Sequence, residues 1–214
     1  MRTLHRLAHC ERAATAAEFA LVLTLLLTLM FGIIDAGRYM WEANQAEKAT
    51  QVGARMAAVT GAISPDLIEA NFASVDVKPG ELIPADAMGT VVCTSEGCTC
   101  ETTSGGPPCP FDDGDVDTDT LEDVILPRMQ AIKANLTADN IVVSYSGSGF
   151  GYAGSPPTKG GGSVAETMEV SPLITVSLRD VEFTPISSFL LASIALPSAA
   201  TTVVAEDLSG IYSN

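Results

Sequence analysis

Thiols and carboxylates are the groups in this sequence best placed to do chemistry. Cys93, Cys98, Cys100 and Cys109 follow the spacing C-x4-C-x-C-x8-C. Neighbouring thiols either oxidise to disulfides or hold zinc as thiolates. The spacing matches no common zinc knuckle and no histidine lies nearby, so disulfides are the expectation and no metal site is assigned. Four cysteines permit three pairings, and the sequence does not choose among them. Asp112, Asp113, Asp115, Asp117, Asp119, Glu122 and Asp123 form an acidic run. Alternating carboxylates bind calcium when a glycine turn and a terminal bidentate glutamate stand at fixed positions. Counting from Asp113, the sixth and twelfth positions are Thr118 and Val124, where an EF-hand requires Gly and Glu. The run reads as a solvated loop that lends negative charge to a following helix start.

Catalysis fails by absence. Both histidines, His5 and His9, lie in the first ten residues, so no Ser-His-Asp or Cys-His site can form further along. Acids are plentiful, yet nothing singles out two of them as an acid/base pair. Gly147, Gly149 and Gly151 with Gly160 to Gly162 lack the lysine-serine pair of a phosphate loop. No catalytic residue and no cofactor is expected.

The remaining chemical group is Glu18. It follows a basic head (Arg2, Arg6, Arg12) and the small residues Ala13-Ala14-Thr15-Ala16-Ala17. After Glu18 and Phe19 an apolar run extends from Ala20 to Ile34. A carboxylate at the edge of a membrane helix is costly and usually functional. Ala13 to Ile34 would make a helix of roughly 33 Å, enough to cross a bilayer core. From Tyr39 onward there are seven Lys/Arg against 23 Asp/Glu. Such a surface repels phosphate and excludes nucleic acid as a partner. Basic head and acidic remainder place the N-terminus in the cytoplasm and the rest outside. A secretory signal carries its small-residue cleavage site after the apolar core. Here the small residues come first, so any cleavage falls on the cytoplasmic side.

The helical pattern continues beyond the membrane segment. Val52, Met56, Val59 and Ile63 make one apolar stripe. Ala43, Ala46, Ala49 and Gly53 make a neighbouring stripe suited to close helix contact. Ser64-Pro65 ends the pattern. The chain therefore divides into a leader (1–13), a long helix (14–63, its membrane half 14–36) and an outer domain (64–214). Within the outer domain, 93–114 reads as a Cys-rich loop. Thr90 to Cys93, Ile141 to Tyr145, Met168 to Leu178 and Thr201 to Ala205 read as strands. Leu121 to Leu136 reads as an amphipathic helix, with Thr120 and Asp123 as its capping box. Pro185 to Leu196 is short and apolar, with Thr184 as its N-cap. The fold class is α+β: a long membrane-spanning helix extending into a small domain with a mostly antiparallel sheet and one or two short helices.

Glu18-Phe19-Ala20-Leu21-Val22 and Gly32-Ile33-Ile34-Asp35-Ala36-Gly37-Arg38 resemble the N-terminal signature of TadE-like proteins. These are pseudopilins or minor pilins of the tight-adherence (Flp, type IVb) pilus. The resemblance covers Arg12 to Ala58, with a weaker likeness over Ile174 to Leu196. It implies cleavage by a prepilin peptidase between Ala13 and Ala14, where the family usually has glycine in place of Ala13. It also implies insertion in the inner membrane and assembly with other pilins and pilus-assembly proteins. Glu18 matches the glutamate fifth in the mature chain. Its carboxylate can pair with the free α-amino group of a neighbouring subunit, which offsets desolvation in an apolar bundle. Gly32, Asp35, Gly37 and Arg38 form the motif at the helix end, where Asp35 and Arg38 are spaced for a local ion pair. The rival reading is a permanently anchored periplasmic binding module, calcium-dependent in one form, never cleaved and never assembled.

Overall fold

The computed structural model describes residues 11–74, 77–102, 109, 113–154, 168–187 and 192–205. Residues 1–10, with Arg2, His5, Arg6, His9 and Cys10, lie outside this set, as do Asp112 and Gly160 to Gly162. The fold is α+β, with one long N-terminal helix, short helical turns and antiparallel sheets. Two units emerge. One comprises the chain up to Glu42 with Glu182–Ala195, and the other comprises Ala43–Val181 with the chain from Leu196. Helix α1 (Glu11–Val59) contributes to both.

The first unit consists of α1 up to Glu42 and a two-stranded ribbon. Strand β5 (Glu182–Phe183) pairs antiparallel with β6 (Ile194–Ala195). Thr184 was expected to cap a helical or apolar segment. It instead follows β5 and leads into a turn at Ile186–Ser187, while residues 188–191 are outside the described set.

The second unit holds a five-stranded antiparallel sheet in the order β2-β1-β3-β4-β7. Its strands are β1 (Thr90–Thr94), β2 (Gly97–Glu101), β3 (Ile141–Ser146), β4 (Leu173–Leu178) and β7 (Ala200–Val204). In β3 and β4, buried residues alternate with half-buried ones, the period of a sheet with one face in the core. The helical residues from Ala43 bury Ala46, Ala49, Ala54, Ala57 and Ala58 in that core. The small-residue stripe is thus used within the chain. At Gly53 an added Cβ would lie 2.6 Å from Met129 Sδ, so the absent side chain admits Met129. The Val52, Met56 and Val59 stripe is the more exposed one. Helix α1 ends at Val59, short of Ile63, and Ser64 caps the separate helix α2 (Pro65–Glu69) through its side chain. Ile63 is fixed otherwise. Its amide donates to the Tyr145 hydroxyl at 3.0 Å, and its carbonyl accepts from Asp117 N–H at 2.8 Å.

Two expected elements change form. The segment expected as a loop from Cys93 begins as a hairpin, with Cys93 facing Cys98 in the β1–β2 register. Alternation of Cys and Thr conceals the strand, because cysteine here serves as the buried apolar residue. The helix expected over Leu121 to Leu136 is a π-turn (Thr120–Ile125) followed by α3 (Leu126–Gln130). Pro127 cannot donate to the carbonyl one turn back, and the wider turn absorbs that break. The expected capping box is replaced by Asp117, which accepts from Thr120 N–H at 3.1 Å and from its hydroxyl at 2.7 Å. The apolar face still points inward: Leu121, Ile125, Met129 and Leu136 are buried.

Candidate functional site

The N-terminal signature lies along α1. Ala13 and Ala14 are in its first turns, followed by Glu18 and Phe19, both exposed. Leu21, Leu25, Leu29 and Ile33 are exposed with their neighbours. Among the described residues nothing covers this stretch of the helix. Its best window has a mean hydropathy of 2.3, and the helix is long enough to cross a membrane. The hydroxyls of Thr24 and Thr28 donate back to Ala20 O and Thr24 O at 2.7 and 2.9 Å. Each polar group is thereby satisfied within the helix, as an apolar medium demands.

The helix-end motif does more than the spacing of Asp35 and Arg38 suggests. Asp35 is 5% exposed. Its Oδ1 accepts from Ile186 N–H at 2.8 Å, and its Oδ2 accepts from Ser187 N–H at 3.0 Å and from the Ser187 hydroxyl at 2.5 Å. A charged acceptor strengthens each of these bonds. Asp35 thus closes the turn after β5 against the helix. The local ion pair is also present, with Arg38 Nη1 3.6 Å from Asp35 Oδ1 and Arg38 Nη2 3.8 Å from Glu42 Oε1. Arg38 also lies 5.3 Å from the centre of the Phe183 ring, within cation–π range. Tyr39 meets the same ring edge-on at 5.6 Å. Phe183 is buried by these contacts.

Gly32 and Gly37 have open space where a side chain would project. Gly32 lines an apolar groove of about 260 Å³ with Tyr39, Met40, Phe183, Pro185 and Ile194. The structure therefore joins Gly32, Asp35 and Arg38 to the ribbon, while Gly37 and Glu18 stand apart from it. Sequence reasoning missed Phe183, Ile186 and Ser187 as partners of this motif. They lie about 150 residues away, and no local pattern links a Ser after Pro-Ile to a distant Asp.

In the second unit the cysteines pair as Cys93–Cys98 and Cys100–Cys109. Gly89, at φ 69°, passes close beside the second pair, where an added Cβ would meet Glu101 O at 2.8 Å and Cys109 Sγ at 3.0 Å. Two acids of the acidic run serve the backbone. Asp113 accepts from Cys100 N–H at 3.1 Å, and Asp117 holds Thr120. Asp115, Asp119, Glu122 and Asp123 face solvent or its margin. Glu169 bridges two loops, accepting from Phe72 N–H at 2.9 Å and Gly154 N–H at 3.0 Å. These carboxylates act as local fasteners.

Residues 13–55 match the family model described as TadE-like protein. Comparison with curated proteins and with solved structures gives no match.

Proposed function

We propose that this chain, TadE-like over residues 13–55, is a minor pilin or pseudopilin that takes part in assembling a tight-adherence (Flp, type IVb) pilus. The family match supports a pilus-associated structural role in general. The observation that carries the finer reading is the uncovered apolar helix with Glu18 at its threshold. A prepilin peptidase removes residues 1–13, leaving Ala14 as the new N-terminus. The helix crosses the inner membrane with its N-terminus in the cytoplasm, as the basic head favours. The acidic part from Ser64 onward is displayed outside. Glu18 then pairs with the α-amino group of a neighbouring pilin, and the exposed apolar side chains pack among other pilin helices.

Processing provides the first test. N-terminal sequencing of the membrane-purified chain should begin Ala-Thr-Ala-Ala-Glu when the peptidase is active. A start at Met1 under the same conditions would overturn the processing step and favour a permanently anchored module. Ala13→Gly should cleave at least as well as the natural sequence.

A further inference from the structure

The β5–β6 ribbon is tied to one level of the helix. Asp35 directly follows Ile34, the last residue of the apolar run, and it holds the amides of Ile186 and Ser187 within 3.0 Å. A bilayer core takes about 20 helical residues. The 22 residues from Ala13 to Ile34 fill that length and end one residue before Asp35. Asp35 then lies at the upper boundary of the hydrocarbon, and whatever binds its carboxylate lies there too. The ribbon is held at the depth of the headgroups.

Its surface suits that place. Ile186 is 53% exposed and Ile194 45% exposed. On the adjoining helix Met40 is 68% and Trp41 67% exposed. Helical side chains lean toward the N-terminus, so Met40 and Trp41 reach back toward the apolar run. Tryptophan at a membrane boundary is a recurrent anchor. Among the described side chains of this unit Arg38 is the single cation, 41% exposed at the same level and paired with Asp35 and Glu42, while Glu182 on the ribbon is exposed to solvent or headgroups. The apolar groove between helix and ribbon is continuous with this surface through Met40 and Ile194. In water these groups would form an exposed apolar patch.

We propose that the paired strands β5 and β6, with the turn at Ile186–Ser187, are a lipid-contact element, seated in the outer headgroup layer of the membrane that the helix crosses, with a phospholipid bilayer as its partner. The proposal rests on the membrane placement of the helix and adds a second, sequence-distant contact. Asp35 acts as the clasp that sets the depth. Ile186 and Ile194 enter the headgroup–acyl boundary, and acyl chains fill the groove.

The chain has one tryptophan, Trp41, so fluorescence can report single positions. The full-length chain is reconstituted in phosphatidylcholine vesicles whose acyl chains are brominated near the headgroup end. Four proteins are compared: the natural chain, Trp41→Phe/Ile186→Trp, Trp41→Phe/Ile194→Trp, and Trp41→Phe/Leu26→Trp with vesicles brominated at mid-chain. Interfacial apolar groups sit roughly 5–10 Å into the boundary, so Trp41 and both ribbon probes should lose about half their emission relative to unbrominated vesicles. The Leu26→Trp probe should be quenched by mid-chain bromine. Quenching at position 26 with none at 186 and 194 would overturn the lipid contact and leave the membrane helix standing. Water-like emission at the ribbon would then indicate solvent, and blue-shifted emission a protein cover such as a second copy. No quenching at position 26 would overturn the membrane placement and the proposal together. The natural chain needs no substitution: an unquenched Trp41 beside a quenched position 26 also counts against the proposal.

Discussion

Asp35 and Ser187, separated by 152 residues, are joined by two hydrogen bonds to one carboxylate oxygen: the Ser187 amide at 3.0 Å and its hydroxyl at 2.5 Å both reach Oδ2. The other oxygen takes the Ile186 amide. One side chain in mid-helix, where the apolar run ends, thus satisfies two backbone donors of a distant turn. Burying a carboxylate is costly without such donors, and the turn would have unpaired amides without the carboxylate. Each group accounts for the other's burial.

Removing that carboxylate should loosen the ribbon before anything else. Asp35→Ala should raise amide exchange at Ile186 and Ser187 by roughly tenfold or more, since bonds to a charged acceptor are among the stronger ones. Asp35→Asn, which keeps one acceptor oxygen, should fall between. Hydrogen-exchange mass spectrometry on the intact protein in detergent reads this directly. Unchanged protection of these amides in Asp35→Ala would contradict the clasp.

Tyr145 ties the sheet of the second unit to the segment at Ile63. It is fully buried, and its hydroxyl accepts from Ile63 N–H. Tyr145→Phe keeps the ring and strands that amide, which should cost about 1–3 kcal/mol in chemical denaturation. Burial also pushes the phenol pKa upward. A raised folded-state pKa means stability present below the ordinary tyrosine range and lost as pH rises above about 10. The natural protein should therefore lose stability more steeply than Tyr145→Phe in alkaline titration. Parallel curves would show that Tyr145 does not contribute to the alkaline loss.

The cysteines give a chemical test. Alkylation without reduction should leave Cys93, Cys98, Cys100 and Cys109 unmodified, and digestion should recover 93–98 and 100–109 linked peptides. The closed loops are short, spanning separations of 5 and 9 residues. Each should contribute about 2–3 kcal/mol by restricting the unfolded chain. Four free thiols, a crossed pairing or one equivalent of zinc would refute this.

Much of this architecture is legible in the sequence, and the gaps have physical causes. The apolar helix shows because its composition is uniform over many turns. The strands Ile141–Ser146 and Leu173–Leu178 show through β-branched residues. The second strand of the hairpin, Gly97–Glu101, is hidden because its buried residue is Cys98, set between Gly97 and Thr99. The sequence predicts one helix from Leu121 to Leu136 because Leu121, Ile125, Met129, Ile132 and Leu136 keep helical spacing through Pro127 and past Gln130, where the helix ends. Tertiary burial preserves that face after the helix has ended. At the site, Asp35 and Arg38 are visible as a pair, and the ion pair between them exists. The stronger bonds of Asp35, to Ile186 and Ser187, arise only from the chain's return, which no local spacing encodes.

Assembly through Glu18 can be tested in the cell by a single comparison. Strains carrying the natural chain or Glu18→Ala as the only copy are scored for surface pili, with membrane insertion of each protein measured in parallel. Loss of a charge makes insertion of an apolar segment easier, so an insertion defect cannot account for a failure to assemble. Glu18→Ala should be inserted at the natural level, with piliation sharply reduced. Normal piliation with Glu18→Ala would contradict assembly through Glu18.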